Sequence, residues 1–275
     1  MIEGQEGVSW EQWLALARAC EESGVESLFR SDHYLSVVDR RERGALDAWG
    51  TICGLAAVTE RVRLGTLVSP VTFRRAGELA KVVATADHVS GGRVELGLGA
   101  GWNEVEATAY GIDLHATPTE RFDAFDEGCE AIIALLTNEQ TTFTGRYVQL
   151  TDAYCNPKPI QRPHPPICIG GQGERRTLRS VARFAQHWNF PGGSAEQFAA
   201  KLDVLRAHCA ELGRDPAEIT VSAHLIGLRF GSGLDALVDE AKRYADAGLD
   251  LGIVYLPTPY TTALLDELAV ALSGI

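Results

Sequence analysis

Helical and strand-like patterns alternate along almost the whole chain of 275 residues, and this alternation restricts the fold more than any other feature. In residues 10–22 the apolar side chains recur at the spacing of one helical face. Ser9 and Gln12 form a capping-box pattern at its start, and Gly24 stands where such a helix ends. A short apolar run at 25–29 follows. Strands that alternate with helices across short turns are typical of βαβ units and a parallel sheet.

The same helix-then-strand unit repeats to the end of the chain. Further helices are predicted at 45–59, 75–89, 120–136, 174–186, 195–212, 233–247 and 260–272. Strands are predicted at 25–29, 62–68, 94–98, 167–169, 187–190, 219–228 and 251–255. A closed (β/α)8 barrel needs one strand more, and residues 2–4 are the only candidate. We therefore expect an α/β fold, a TIM barrel with a short or truncated first strand, with a doubly wound open sheet as the alternative.

Two insertions interrupt the alternation, both after the fourth barrel strand and before the fifth. Residues 103–118 form a predicted long loop directly after a strand. Residues 138–166 show an alternating β pattern around Gly145 and then a proline-rich connection, which predicts a hairpin inserted into the barrel. Because no linker is evident elsewhere, residues 1–275 are expected to form a single domain. Loops that follow barrel strands lie on the face where active sites are found.

The overall charge argues against one large class of function. Lys and Arg number 25 and Asp and Glu number 37, which gives a net charge of −12 at pH 7. Sequence-independent binding of nucleic acid needs a basic surface, so we expect no nucleic-acid partner. A small anionic ligand stays compatible with this charge because it needs only a few local donors.

The sequence indicates neither membrane insertion nor metal binding. No run of 18 apolar residues occurs, and residues 1–13 lack the basic and apolar regions of a secretory signal. The six cysteines are scattered without metal-ligand spacing, which favours buried free thiols over disulfides and gives no reason to expect a metal. We predict a cytoplasmic protein with a small-molecule substrate.

A glycine-rich segment at 97–103, Gly-Leu-Gly-Ala-Gly-Trp-Asn, closes the predicted strand 94–98. Glycines here allow a backbone to approach a flat or phosphorylated ligand closely, and tight packing of the strand end is the competing interpretation. The segment departs from the dinucleotide-binding pattern G-x-G-x-x-G because its third glycine comes one residue early. We favour a ligand-binding loop over a purely structural one.

Asp32 and His33 follow the predicted strand 25–29 within the polar cluster Ser31–Tyr34. Barrel enzymes place reactive groups at this end of a strand, and histidine acts as a general acid or base near neutral pH. An ordinary polar loop, or a helix cap formed by Asp32, explains the same residues equally well.

A third motif, at 169–177, runs from a strand through a glycine turn into a predicted helix that carries Arg175, Arg176 and Arg179. Free N–H groups at a helix start beside guanidinium groups make a phosphate site. A glycine turn with solvated arginines is the alternative interpretation.

Taken in order, these motifs resemble the luciferase-like oxidoreductases that use a flavin or coenzyme F420, and the F420-dependent branch most of all. The matching segments are 31–33, 59–66, 87–93, 96–102, 120–122, 169–171 and 188–189. The resemblance covers roughly residues 10–190, and it implies a (β/α)8 barrel with a cofactor cleft at the carboxyl ends of its strands.

The resemblance also implies roles for individual residues. Asp32 and His33 would act in catalysis beside the cofactor ring, and a non-prolyl cis peptide is expected near Leu67 and Val68 against that ring. The remaining expected cofactor contacts are Gly101, Trp102 and Asn103 along the ring or side chain, and Gly170, Gly171, Gln172 and Arg176 at the phosphate. Trp102 stands where some F420 enzymes carry a glutamate, so the substrate is expected to differ from theirs.

The functional hypothesis is hydride transfer between F420 and an unidentified organic substrate, with His33 bonding the substrate and moving its proton. An FMN-dependent monooxygenase served by a separate flavin reductase is the first alternative, and a non-catalytic flavin-binding or partner protein on the same scaffold is the second. Since members of this family are often dimers, the resemblance also implies a homodimer.

Overall fold

The computed structural model describes residues 1–38 and 41–272. Within them the helices are α1 Trp10–Ser23, α2 Ala48–Ala56, α3 Ala76–Ser90, α4 Glu104–Tyr110, α5 Pro118–Thr137, α6 Thr177–Phe184, α7 Ala195–Leu212, α8 Leu234–Asp246 and α9 Ala263–Leu272. The strands are β1 Ser27–Arg30, β2 Arg63–Thr66, β3 Ser69–Pro70, β4 Val94–Gly99, β5 Thr141–Thr144, β6 Gln149–Ala153, β7 Ile167–Gly170, β8 His187–Phe190, β9 Thr220–Leu225 and β10 Leu251–Val254.

The main sheet is parallel and curls into a barrel. Its strands follow the order β1-β2-β4-β7-β8-β9-β10, with the short β3 paired to β4. The first residues of the chain join the two ends of this order: Ile2 forms a parallel bridge with Arg30, and the Met1 ammonium donates to the Val254 carbonyl at 2.8 Å. The predicted TIM barrel is therefore confirmed, and its first strand is reduced to a single bridge.

The two insertions differ from each other in structure. The predicted hairpin is confirmed, since β5 and β6 pair antiparallel and the Gly145 N–H donates to the Val148 carbonyl at 2.9 Å across the turn. The predicted loop 103–118 is wrong in part because it contains α4. The side chain of Asn103 begins that helix by accepting from the Glu106 N–H at 3.2 Å.

Several predicted boundaries also change. The helix predicted at 45–59 begins only at Ala48, because the Asp47 carboxylate caps it by accepting from the Gly50 N–H at 2.7 Å. The strand predicted at 219–228 stops at Leu225, and a short 3₁₀ helix, Gly227–Phe230, follows it. The helix predicted at 174–186 shortens to α6.

The core lies between the sheet and the surrounding helices. Trp13 and Trp49 are each 1% exposed and lie in this core, whereas Trp10 is 36% exposed and is not a core residue. Its ring covers Gly54 of α2, where an added Cβ would lie 2.8 Å from it. All six cysteines are free, and five of them are buried, which confirms the prediction of free thiols.

The inside of the barrel also holds one charged pair. Nδ1 of His187, on β8, lies 3.0 Å from a carboxylate oxygen of Glu95, on β4. The other oxygen of Glu95 accepts from Nε of Arg63 at 3.0 Å, and Nε2 of His187 lies 2.7 Å from the Ser222 hydroxyl. The pair thus ties β2, β4, β8 and β9 together.

Among residues 1–38 and 41–272, no helix combines the length and apolar character needed to cross a bilayer. The same ranges contain no group of three or more His, Cys, Asp or Glu side chains placed to hold a metal ion.

Candidate functional site

The carboxyl ends of the barrel strands surround a cleft made of two adjoining cavities of about 200 Å³ each. Both cavities are lined by Val68, Gly99, Gly101 and Trp102, so these residues form the wall between them. The cavity that extends towards Phe122, Phe125, Ile169, Gly170 and Thr177 is called the ring-side cavity. The other cavity extends towards His33, Leu67, Tyr255 and Glu3 and is called the histidine-side cavity. The strand-end motifs therefore meet at one place.

The expected cis peptide is present between Leu67 and Val68, in the connection from β2 to β3. This segment explains the glycines of β4. A Cβ on Gly97 would lie 1.9 Å from the Thr66 carbonyl oxygen, and one on Gly99 would lie 2.7 Å from a Val68 methyl. Gly97 therefore makes room for the Thr66 backbone and Gly99 for the Val68 side chain, while Gly99 also lines both cavities.

The last glycine of the motif has a different reason. Gly101 has φ +81°, a left-handed conformation that favours glycine, and an added Cβ would lie 2.9 Å from Leu114. Together with Trp102, Gly101 lines both cavities. Asn103 instead caps α4 and lines neither cavity.

His33 lines the histidine-side cavity and is fixed by a carboxylate from α4. Its Nδ1 lies 2.7 Å from Oε2 of Glu106, whose side chain is fully buried. The other oxygen of Glu106 accepts from the backbone N–H groups of Tyr34 and Leu35. Because that carboxylate accepts at both oxygens, it favours the imidazole tautomer with the hydrogen on Nδ1, and Nε2 is then the nitrogen available to a ligand.

Sequence reasoning missed Glu106. The signal was available in the helix start, since Asn103 followed three residues later by Glu106 is a capping pattern. The capping pattern does not indicate that Glu106 contacts His33, which lies in the loop after β1 and 73 positions earlier in the chain.

Asp32 has a different environment from its neighbour His33. It is 1% exposed and lies outside the lining of both cavities. Its carboxylate accepts from Nη1 of Arg74 at 2.6 Å and from the Ser69 hydroxyl at 2.5 Å. Ser69 directly follows the cis peptide, so Asp32 holds the Leu67–Ser69 segment in place.

Aromatic side chains border the cleft beside His33. Trp102 is 63% exposed and its ring meets the His33 ring edge-on, with centroids 5.6 Å apart. Phe73 stacks on Tyr34 at 5.1 Å, and Tyr34 contacts Tyr110 at 4.9 Å. Of these aromatic residues Trp102 lines the cavities, while Tyr34, Phe73 and Tyr110 pack next to His33 outside the lining.

The glycine turn before α6 lies at the far end of the ring-side cavity. Gly170 and Thr177 line it, and Gly171 has φ +127°, with an added Cβ 3.0 Å from Thr177. The exposed Gln172 lies outside the lining. Arg176 is paired, because its Nη2 lies 2.5 Å from Asp123 and 3.8 Å from Asp126. A phosphate contact by Arg176 would have to compete with both aspartates.

Comparison with known proteins identifies the family. The family model for luciferase-like monooxygenases matches residues 2–250. An F420-dependent glucose-6-phosphate dehydrogenase of Microbacterium testaceum (strain StLB037) is 36% identical over 184 residues, which are 66% of this chain and 53% of that protein. An FMNH2-dependent dimethylsulfone monooxygenase of Pseudomonas putida is 32% identical over 173 residues, which are 62% of this chain and 46% of that protein.

A solved structure agrees on the fold. The coenzyme F420-dependent tetrahydromethanopterin reductase from Methanopyrus kandleri matches with a TM-score of 0.82 at 18% identity, over 99% of this chain and 97% of that one. The matches with curated relatives span between 43% and 65% of those proteins' lengths. The chain belongs to the luciferase-like monooxygenase family, in which the relatives named here include both F420-dependent and FMNH2-dependent oxidoreductases.

Proposed function

We propose that the protein is an oxidoreductase that transfers a hydride between coenzyme F420 and a small organic substrate. The observation that carries this proposal is His33, which borders a cavity beside Val68 and Trp102 and is fixed from behind by the buried Glu106. A positioned histidine at the wall of a cleft is the arrangement that proton transfer to or from a bound substrate requires. The similarity to an F420-dependent dehydrogenase supports this choice of cofactor.

The residues of the cleft fit a flat ring system with a phosphorylated side chain. The ring-side cavity has apolar walls, formed by Val68, Phe122 and Ile169, and glycine backbone at Gly99 and Gly170. The turn before α6 then offers backbone N–H groups and the Thr177 hydroxyl to a phosphate. When bound there, F420 would supply or accept the hydride.

The chain's own residues would position the substrate and move a proton. With the hydrogen on Nδ1 directed to Glu106, Nε2 of His33 accepts the proton of a substrate hydroxyl during oxidation and returns it to a carbonyl oxygen during reduction. Asp32 does not touch the cavity, and it acts by holding Ser69 and Arg74 beside the Leu67–Val68 wall.

FMN is the second candidate cofactor, and the specific support for it is the FMNH2-dependent relative at 32% identity. In that case the same cleft would hold FMN, oxygen would be the co-substrate, and a separate reductase would be needed.

The deciding experiment is a fluorescence titration of the purified protein with F420 and with FMN in parallel. Micromolar binding of F420 with much weaker binding of FMN is expected, and the reverse order would replace F420 by FMN. If neither binds, the oxidoreductase proposal fails and the non-catalytic alternative takes its place.

A matched pair of variants tests whether binding occurs in the cleft. Trp102→Ala removes the indole shared by both cavities and should weaken cofactor binding by about three- to tenfold, the range of one aromatic contact. Trp10→Ala removes a partly exposed indole on α1, outside both cavities, and should leave binding unchanged.

A further inference from the structure

Besides His33, the wall of the histidine-side cavity contains a buried carboxylate. Glu3 is 7% exposed and lines this cavity together with Ser31 and Tyr255. Its Oε1 accepts from the Tyr255 hydroxyl, and its Oε2 accepts from the Gln5 side-chain amide at 2.6 Å. Glu3 and Tyr255 are separated by 252 positions, and they meet because the first residues of the chain lie against β10.

Glu3 keeps its negative charge in this position. Burial opposes ionisation, but hydrogen bonds from Tyr255, Gln5 and Ser31 and the nearby charge of Arg229 outweigh it, so the pKa of Glu3 is lowered. Burial and the Glu3 carboxylate both raise the pKa of Tyr255, so its proton stays on the hydroxyl that donates to Glu3. The wall therefore offers oxygen acceptors, while its nearest donors are already used.

Arg229 lies behind this wall. Its Nη1 is 3.3 Å from Oε1 of Glu3, its guanidinium covers the Tyr255 ring at 4.6 Å from the centroid, and it is not among the residues that line the cavity. It balances the charge of Glu3 from outside, and it leaves the negative oxygens nearer to a ligand than its own positive charge.

We propose that Glu3 and Tyr255 form a hydroxyl-binding subsite that selects small, uncharged, hydroxylated substrates and rejects carboxylates. A ligand hydroxyl would donate to the Glu3–Tyr255 oxygens while a second oxygen of the same molecule faces His33. The volume of about 200 Å³ corresponds to on the order of seven water volumes, which limits the part of the substrate held there to a few carbon and oxygen atoms. This inference deepens the proposed function and rests on it for the role of His33.

Three probes with nearly the same skeleton test the subsite: propane-1,2-diol, propan-2-ol and lactate. Their dissociation constants are measured by ligand-detected NMR, with the full chain both alone and loaded with whichever of F420 and FMN binds. The diol should bind about tenfold more tightly than propan-2-ol, the effect of one hydrogen bond to a charged group, and lactate should bind more weakly than either. Any other order, or no binding of the diol, overturns the proposal.

Variants then assign the discrimination to Glu3. Glu3→Gln should reduce the preference for the diol over lactate at least fivefold, and an unchanged preference overturns the proposal. Asp87→Asn is the matched control, because Asp87 is a fully buried carboxylate on α3, bonded to Gln161 and outside the cavity, so the preference should stay. If Glu3→Gln does not fold, Tyr255→Phe is used in its place. This variant keeps the negative charge of Glu3, so lactate must still bind more weakly than the diol.

The two proposals can fail separately. Absence of cofactor binding by the wild-type protein contradicts the proposed function, whereas the order of the three probes on the cofactor-free chain still tests the subsite. A preference for lactate would show that Arg229, and not Glu3, determines specificity.

Discussion

Within residues 1–38 and 41–272, two histidine–glutamate pairs with buried carboxylates differ in what lies on the far side of each imidazole. His33 and Glu106 are 2.7 Å apart, and His187 and Glu95 are 3.0 Å apart, in each case through Nδ1. The side chain of His33 is 13% exposed and borders a cavity, whereas that of His187 is 4% exposed and its Nε2 meets the Ser222 hydroxyl. The same contact thus fixes an imidazole at a cavity wall in one place and joins strands in the other.

The charge states of His187 and Glu95 follow from the groups that surround them. Burial disfavours the charged imidazole, but contacts with Cys168 and Glu95 outweigh this and raise the pKa of His187 to about 10. Burial likewise opposes ionisation of Glu95, yet its pKa is lowered by His187 and Arg63. Both groups are therefore charged at neutral pH. The comparison predicts that His187 and Glu95, the inner pair, govern stability and that His33 and Glu106, the outer pair, govern turnover.

The largest expected effect comes from His33→Ala. Loss of the acid–base group should lower turnover by about 10²- to 10⁴-fold once a substrate is known, while cofactor affinity stays within about tenfold. Steady-state kinetics and a cofactor titration check this, with His187→Ala as the comparison because it should lower the melting temperature instead. Unchanged turnover in His33→Ala would remove His33 from the mechanism.

Glu95→Gln breaks the inner pair and leaves the imidazolium of His187 without its anion. Removing one partner of a buried ion pair costs about 3 kcal/mol or more, so the free energy of unfolding should fall by that order. Urea denaturation of the wild-type protein and the variant measures it. A loss below about 1 kcal/mol would mean that the two pairs do not differ in the way proposed.

Glu106→Gln weakens the outer pair without removing either side chain. An amide that donates to Nδ1 moves the imidazole hydrogen to Nε2, so we expect turnover to fall on the order of a hundredfold with little change in KM. Glu106→Asp should recover part of the loss. A change in KM alone would show that Glu106 shapes the cavity and does not orient His33.

A dependence of stability on pH is the expected effect that is smallest per pH unit. Because the pKa of His187 is raised in the folded state, its stabilisation is fully present below about pH 6.5 and is lost as the pH rises towards about 10. The free energy of unfolding of the wild-type protein should therefore fall above pH 7, by at most about 1.4 kcal/mol per pH unit from this one group. Glu95→Gln should show a flatter profile, and parallel profiles would contradict the assignment.

Much of the cleft could be predicted from local patterns. Ser31–His33 and Gly101–Trp102 follow strands that the alternation of helix and strand indicates, and Gly170–Gly171 close another. Leu67 and Val68 were expected at the cleft from the family resemblance alone, and they lie inside the strand predicted at 62–68. Parallel strands of a barrel place such ends on one face, so the motifs meet without any information on distant contacts.

The residues that complete the cleft could not be predicted in this way. Glu106 lies on a helix inside a segment predicted to be irregular, and Glu3 and Tyr255 lie near opposite ends of the chain. Glu3 and Tyr255 line the cavity and Glu106 reaches His33 only in the folded barrel, and the sequence around each contains no local pattern for that contact. Gly97 and Gly99 also have a packing role that the sequence alone did not decide, since the Thr66 carbonyl and a Val68 methyl lie where their side chains would be.

The sequence by itself determined the order of helices and strands and the strand ends that carry the motifs, because hydrophobic periodicity, caps and glycine turns act over a few residues. The choice of a barrel over an open sheet came from the family resemblance. Only the tertiary structure decided which polar groups face the cavity. It places His33 on the wall, buries Asp32 against Arg74 and Ser69, and brings Glu3 to Tyr255. The physical reason is that exposure and hydrogen-bond partners depend on groups far apart in the chain, which folding alone brings together.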